Sequence, residues 1–223
     1  MTGTWPTWDD LQVSGSAQWQ NTAHQWKCSV DLDHLAHVRQ RPADFAPGGV
    51  CHLVLEVVAY AAEEAADQAT GRCHITLHSD ESISVADNGR GTDTRFDDEG
   101  RAIKKPVMAT KDLRFFDFPD AQQLPDGHPR RGMSVVAALS EWLVHVNRRH
   151  NGSWIQRYQY GVPVTGLVPI ANDGTRGTTV HFRANEALRT VGRLPCGPGS
   201  ASTSTMTSPK GHDLAGRGSL SFS

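Results

Sequence analysis

Two acidic side chains stand where a carboxylate could do chemistry, Glu56 and Asp87. Asp87 ends an alternating apolar segment and opens a turn that continues through Gly89, Arg90 and Gly91. This pattern predicts a carboxylate at the end of a strand, above a turn whose backbone can approach a ligand closely because no Cβ intervenes. By itself the pattern also fits an ordinary turn whose aspartate only caps the backbone.

Glu56 lies at the edge of an apolar stripe. Between His52 and Thr70 the apolar side chains recur every three or four residues, which predicts an amphipathic helix. They are Leu53, Val54, Val57, Val58, Ala61, Ala62, Ala65 and Ala66. A carboxylate in this position fits either a reacting group or a cap or salt bridge at the rim of the helix.

The segments around these residues predict an α+β fold, a two-layer sandwich in which helices pack on one face of a mixed β-sheet. Helices are predicted over residues 33–41, with Asp33 as the cap, over 52–70 and over 132–143. Strands are predicted around 75–77, 83–87, 144–146, 154–160 and 178–182. The polar segment 92–105 is predicted to lie outside the core, at the start of a long loop that ends at Arg131.

Composition bounds the function. The chain has 223 residues, 38% hydrophobic and 21% charged, which suits one globular domain. A net charge of −2 gives no basic field, so we expect no direct DNA binding. The four cysteines show no paired spacing, and no apolar run approaches the roughly 20 residues of a membrane span. These features predict a cytoplasmic protein with reduced thiols, no zinc site and no membrane contact.

The chain is predicted to divide into three parts. Residues 1–27 form an arm with four tryptophans, predicted either to dock on the domain surface or to bind a partner. Residues 28–192 form the folded domain. Residues 193–223 are mostly Gly, Ser, Pro and Thr without apolar periodicity, and we predict a disordered tail there.

Five blocks in one order carry a resemblance to a known family. From residue 33 to 182 the chain resembles the ATPase domain of the B subunits of DNA gyrase and topoisomerase IV, in the superfamily of gyrase, Hsp90, histidine kinases and MutL (GHKL). The blocks are Glu56-Val57-Val58, Asp87 to Gly91, Gly132 to Leu143, Gly161-Val162-Pro163 and Gly177 to Phe182. The resemblance implies the Bergerat ATP-binding fold, with ATP or ADP as the ligand and segment 92–131 as a lid.

The resemblance assigns the adenine site. It implies that Asp87 accepts a hydrogen bond from the adenine amino group and that Thr178 reaches the same carboxylate. It implies that Gly89 and Gly91 let the backbone approach the ligand and that Arg90 lies beside the adenine pocket. Without the family resemblance, Thr178 fits an ordinary β-branched strand residue, and Arg90 fits an exposed arginine that covers the rim of the domain.

The resemblance makes Glu56 the general base that activates water, but the chain departs from the family at the metal. One helical turn later the family has an asparagine that holds Mg²⁺, and here Tyr60 stands in its place. A phenol is a poor ligand for a small hard cation and is bulky where triphosphate would lie. The sequence therefore disfavours Mg²⁺ and predicts no metal site.

The phosphate loop also departs from the family, which places a glycine-rich run before the second helix. Here Gly127 and Gly132 are the only small residues that could serve, and Pro129 has no N–H to donate. Arg130 and Arg131 could bind phosphate or could belong to a solvated loop. We expect phosphate binding to be altered.

Three functions are compatible with these observations. The first is an adenine-nucleotide-binding protein with weak or lost Mg²⁺-dependent hydrolysis. The second is a live gyrase-type ATPase that uses Glu56. The third is a repurposed scaffold that binds a non-nucleotide ligand or a protein partner. DNA strand passage by this chain alone is not expected, and in the family the N-terminal arm helps to join two protomers into a dimer.

Overall fold

A computed structural model describes residues 30–65, 71–116, 122–191 and 202–207. The helices are α1 Leu32–Gln40, α2 Pro42–Phe45, α3 Val50–Ala65, α4 Leu113–Phe116, α5 Met133–Ala138 and α6 Glu186–Val191. The strands are β1 Arg72–Leu77, β2 Ile83–Asp87, β3 Thr94–Phe96, β4 Ala102–Lys104, β5 Ser140–Arg149, β6 Gly152–Gln159, β7 Val162–Pro163, β8 Val168–Pro169, β9 Gly177–Ala184 and β10 Ser202–Thr207. The tryptophan arm lies outside the described residues, so its role stays a prediction.

One sheet of eight strands organises the fold, in the order β10-β1-β2-β9-β5-β6-β7 with β8 paired to β6. The described pairings in this sheet are antiparallel. Strands β2 and β9 are distant in sequence but adjacent in the sheet, with Ala86 opposite Thr179. This register brings the end of β2 to the start of β9. Strands β3 and β4 form a separate hairpin.

Helices α3 and α5 cover one face of the sheet, and the α+β sandwich is confirmed. Leu53, Val57 and Ala61 of α3 are buried, as the apolar spacing predicts. Glu56 is also fully buried. The loop before α5 and the start of α5 cover this edge of the apolar stripe, so Glu56 lies in the core and not at an exposed rim.

Two helix boundaries differ from the sequence prediction. Helix α1 is capped by Asp31, whose side chain accepts from the backbone N–H of His34 at 3.0 Å, and not by Asp33. Helix α5 ends at Ala138, and β5 begins at Ser140. The prediction that the helix continues to residue 143 was wrong because a short apolar run fits both periodicities, and pairing with β9 decides for strand.

The C-terminal segment contains a strand, so the prediction of disorder over the whole of 193–223 is wrong at Ser202–Thr207. This strand pairs antiparallel with β1 over six residues. The composition of this segment predicts no ordered structure. Backbone hydrogen bonds to the edge of β1 stabilise it as a strand, because an exposed sheet edge is a template for pairing. Elsewhere in 193–223 the prediction of disorder concerns residues outside the described part.

Candidate functional site

Asp87 and Thr178 meet where β2 ends and β9 begins. Asp87 Oδ1 accepts from the N–H of Gly89 at 2.7 Å, and Oδ2 accepts from the N–H of Thr178 at 3.1 Å and from its hydroxyl. Burial raises the pKa of Asp87, and the hydrogen bonds from Thr178 and Gly89 offset part of the rise. A carboxylate offers about four lone-pair positions, so one acceptor position remains for a ligand amino group.

The two glycines of the turn are required by the protein's own backbone. A Cβ at Gly89 would lie 2.8 Å from the carbonyl oxygen of Glu64, and one at Gly91 would lie 2.6 Å from that of Arg148. Gly91 also has φ +79°, which an L side chain rarely adopts. Close approach of a ligand to this turn stays a prediction.

Gly91→Ala should lower the free energy of unfolding by about 2 kcal/mol more than Gly174→Ala. Gly174 has nearly the same φ, +78°, but nothing lies within 4 Å of its Cβ position. The matched pair therefore separates the steric clash from the cost of positive φ. Urea unfolding of the two variants measures the difference, and equal destabilisation would contradict the close packing of Gly91 on β5.

A polar cavity of about 260 Å³ lies beside this turn. Of the predicted site residues, Tyr60, Arg90 and Gly132 line it, whereas Asp87 and Thr178 do not. The other lining residues are Glu63, Glu64, Lys105, Val107, Asp112, Arg114, Phe115, Arg130 and Met133. Arg90 Nε donates to Glu64 at 2.9 Å and leaves its side chain half exposed, so it forms the rim of the cavity.

Tyr60 is buried in the cavity wall, and its hydroxyl is hydrogen-bonded to that of Thr92. Burial, with a contribution from Glu64, raises the pKa of Tyr60 well above its usual value. The side chain is therefore a neutral phenol, which is a poor ligand for a small hard cation.

Glu56 caps the start of α5 from the neighbouring helix. Its two carboxylate oxygens accept from the backbone N–H groups of Arg131 and Gly132, the latter at 2.8 Å. The alternative in which Glu56 acts as a cap therefore matches the geometry. A role as general base would require a water molecule to reach one of the remaining lone-pair positions of this fully buried carboxylate.

A buried histidine connects Glu56 to the loop before α5. His52 Nδ1 lies 2.6 Å from Asp126 Oδ2, and its Nε2 lies 3.4 Å from Glu56 Oε1. Burial favours the neutral imidazole, but the two carboxylates outweigh it and raise the pKa of His52. The ring of His52 therefore joins α3 to segment 122–131. Because Asp126 is 74 positions away in the sequence, no local pattern predicts that it is the partner of His52.

Arg130 is not part of a solvated loop. It is 2% exposed, and its Nη1 donates to Glu63 at 2.7 Å and to Gln122 at 3.0 Å. Its guanidinium lies 4.4 Å from the centre of the Phe115 ring. The stacking on Phe115 and the pairing with Glu63 offset the free-energy cost of burying the charge of Arg130. The composition of the loop does not reveal either contact.

The described residues do not fit a Mg²⁺ ion in the family manner. Tyr60 stands at the position of the family's metal-holding asparagine, and its hydroxyl is bonded to Thr92. No group of three or more His, Cys, Asp or Glu in the described ranges could hold a metal. Mg²⁺ requires compact oxygen ligands in octahedral array, and these side chains do not offer them.

Sequence reasoning missed a buried polar network next to Tyr60. Lys104 Nζ lies 2.8 Å from His145 Nδ1 and donates to the hydroxyl of Tyr158 at 2.9 Å. His145 Nε2 in turn lies 3.4 Å from the hydroxyl of Thr92. The prediction that segment 92–105 lies outside the core is wrong at Thr92, Thr94 and Lys104, which are 0%, 5% and 8% exposed.

The arrangement defines a class of protein. An aspartate at the end of a central strand is bonded by a threonine of the adjacent strand, and both belong to a sheet covered by helices on one face. This is the ATP-binding fold of the gyrase, Hsp90, histidine kinase and MutL superfamily.

Comparison with known proteins gives the family. The chain is 35% identical over 162 residues to the DNA gyrase B protein of Thermotoga maritima, covering 70% of this chain and 26% of that protein. It is 30% identical over 162 residues to the DNA topoisomerase 4 B protein of Bacillus subtilis, covering 70% and 25%. The topoisomerase IV ATP-binding domain of Francisella tularensis, solved with a small-molecule inhibitor, matches with a TM-score of 0.53 and 25% identity, covering 69% of this chain and 42% of that one.

Over about 70% of its length the chain is homologous to DNA gyrase B and topoisomerase IV B proteins, and its fold matches that of a topoisomerase ATP-binding domain. It spans about a quarter of the length of the curated relatives it matches. No family model matches the sequence. Among the described residues, no helix is both long and apolar enough to cross a bilayer.

Proposed function

We propose that this protein binds an adenine nucleotide, ATP or ADP, with Asp87 accepting the adenine amino group. The observation that carries the proposal is the Asp87–Thr178 pair, which is held at the end of β2 with one acceptor position left over. The relationship to gyrase B and topoisomerase IV B supports the choice of purine. Arg90 at the rim of the cavity and Tyr60 in its wall would border the same ligand.

We further propose that Mg²⁺-dependent hydrolysis is weak or lost. A hydrolytic site needs a metal held by protein oxygens and a base with access to water. Glu56 is fully buried and accepts from two backbone N–H groups, and the hydroxyl of Tyr60 is bonded to Thr92, which supports this view. A live ATPase would need a water molecule to reach Glu56, which is fully buried.

Calorimetric titration with ATP, ADP and adenosine, each with Mg²⁺ and with EDTA, tests the proposal. We expect saturable binding of the nucleotides with little change when EDTA replaces Mg²⁺. The absence of heat with all three ligands, together with the absence of any thermal shift, would overturn nucleotide binding and favour a scaffold for another ligand or for a protein partner.

Glu56→Gln should leave the rate of phosphate release from ATP unchanged, because the wild-type protein should already be at the background rate. The same variant should lower the free energy of unfolding by about 2 kcal/mol, since it weakens charge-assisted caps on one buried and one partly buried N–H group. Steady-state phosphate release with Mg²⁺ and urea unfolding measure the two effects. A wild-type rate above background that disappears in this variant would establish the live ATPase instead.

We make two further proposals, on the binding partners of this protein and on its location in the cell. We propose that residues 1–27 contact a second copy of the chain or another protein, as an aromatic-rich segment is suited to do. The described cysteines, Cys51 and Cys73, are unpaired thiols, which supports a reducing cytoplasm. Strand passage of DNA by this chain alone is not part of the proposal.

A further inference from the structure

One carboxylate of the cavity wall is bound by two arginines. Arg114 Nη1 donates to Glu63 Oε1 at 3.1 Å, and Arg130 Nη1 donates to the same oxygen at 2.7 Å. The side chain of Glu63 is 36% exposed, so it has a path by which to turn out into water. Two guanidinium groups sharing one oxyanion is a geometry that also suits phosphate.

The two arginines have other contacts that hold them in position without Glu63. Their guanidinium groups lie over Phe115, at 4.8 Å for Arg114 and 4.4 Å for Arg130. Asp112 accepts from Arg114 at 2.8 Å and 3.0 Å, and the amide oxygen of Gln122 accepts from Arg130 at 3.0 Å. An incoming anion would therefore meet cations that are already oriented, which lowers the entropic cost of binding.

The cavity has an excess of positive charge. Four cationic side chains line it against three carboxylates, and the excess rises from one to two when Glu63 turns away. Burial lowers the pKa of Lys105, and Arg114 lowers it further, so an added anion would stabilise its ammonium form. Arg130 Nε is buried without a hydrogen-bond partner in the described ranges, and its nearest carboxylate oxygen, on Glu56, lies 3.9 Å away. Both cations have the capacity to bind an anion.

We propose that Lys105, Arg114 and Arg130 bind the phosphates of an adenine nucleotide without a divalent cation, and that Glu63 holds this position until the nucleotide displaces it. The inference rests on the proposed function, since Arg90 joins this cavity to the turn that carries Asp87. In this site, side chains bind the phosphates in place of the metal ion and glycine-rich loop that bind them in the family. Charge-assisted, two-donor contacts give such a site both strength and selectivity for phosphate.

Calorimetry in EDTA with adenosine and ADP tests the inference. ADP should bind at least tenfold more tightly than adenosine. Glu63→Gln should increase the affinity for ADP about fivefold and leave that for adenosine unchanged, because the neutral amide competes less well. Arg114→Gln and Lys105→Gln should each remove most of the advantage of ADP, and having two variants guards against a folding defect in one of them.

Glu141→Gln is the matched control. Glu141 also bridges two arginines, Arg183 at 3.7 Å and Arg189 at 3.1 Å, but it does not line the cavity. This variant makes the same change of charge and breaks the same kind of bridge, so it should leave ADP binding at the wild-type level. A gain in affinity equal to that of Glu63→Gln would mean a general effect of net charge and would overturn the role of Glu63.

The remaining outcomes separate this inference from the proposed function. If adenosine and ADP bind equally well in EDTA, the phosphate site is wrong and nucleotide binding stands. If neither binds but pyrophosphate raises the melting temperature in a way that Arg114→Gln abolishes, the anion site stands and adenine recognition is wrong. If ADP binds tightly only when Mg²⁺ is present, the metal-free site is overturned.

Discussion

Asp87→Asn should weaken the binding of ADP about 100-fold, the largest loss expected from a single side chain in the site. The carboxylate offers the adenine amino group a charge-assisted acceptor, and such bonds contribute about 1.5–3 kcal/mol. An amide has fewer acceptor positions, and its NH₂ group would face the N–H of Thr178, which now lies 3.1 Å from Oδ2. Calorimetry of the variant with ADP measures the loss.

Asp80→Asn supplies the control for this variant. Asp80 also sits at a turn and accepts from a backbone N–H two residues on and from a hydroxyl, at 3.1 Å and 2.6 Å to Ser82. It lies at the opposite end of β2 and should keep wild-type binding. Melting temperatures of both variants separate a lost contact from a lost fold. If a folded Asp87→Asn protein binds ADP at the wild-type affinity, the assignment of the adenine site is wrong.

Lys104→Met should remove most of the rise in stability that we expect between pH 7 and pH 9. Burial lowers the pKa of Lys104 from 10.5 to about 7, so in this range the unfolded chain binds more protons than the folded one. Stability therefore rises with pH, by at most about 1.36 kcal/mol per unit, or about 2.5 kcal/mol over the window. Urea unfolding at several pH values measures this slope in both proteins.

The groups that face Lys104 do not contribute to the expected change of stability between pH 7 and pH 9. The pKa of His145 is held well below its usual value by burial and by Lys104, and burial raises the pKa of Tyr158. Both therefore stay neutral between pH 7 and pH 9. Lys105, whose pKa is also lowered, contributes a slope of the same sign that the variant retains.

Lys111→Met removes the same charge from a less buried position and should keep the wild-type slope. An unchanged slope in Lys104→Met would show that this amine keeps its proton in the folded state. The network of Lys104, His145 and Tyr158 would then contain a buried ammonium that hydrogen bonds alone satisfy.

Much of the fold could be predicted from the sequence, because local patterns record it. The apolar period of α3, the alternation in β1 and β2, and the order of five motif blocks all indicate the α+β sandwich. The meeting of Asp87 with Thr178 also followed from motif order, since the family places both at one sheet edge. The helix and strand patterns depend on period, which a single sequence displays directly, whereas the meeting of Asp87 with Thr178 depends on the resemblance to the family.

Tertiary contacts decided the chemistry of the pocket. The spacing of residues predicts neither that Glu56 caps the backbone of α5 nor that Arg130 is buried against Glu63. These contacts join residues 76 and 67 positions apart, and composition gives no information about such pairs. The same limit explains why the charged segment around Lys104 was placed outside the core: a polar side chain can be buried wherever distant partners complete its hydrogen bonds.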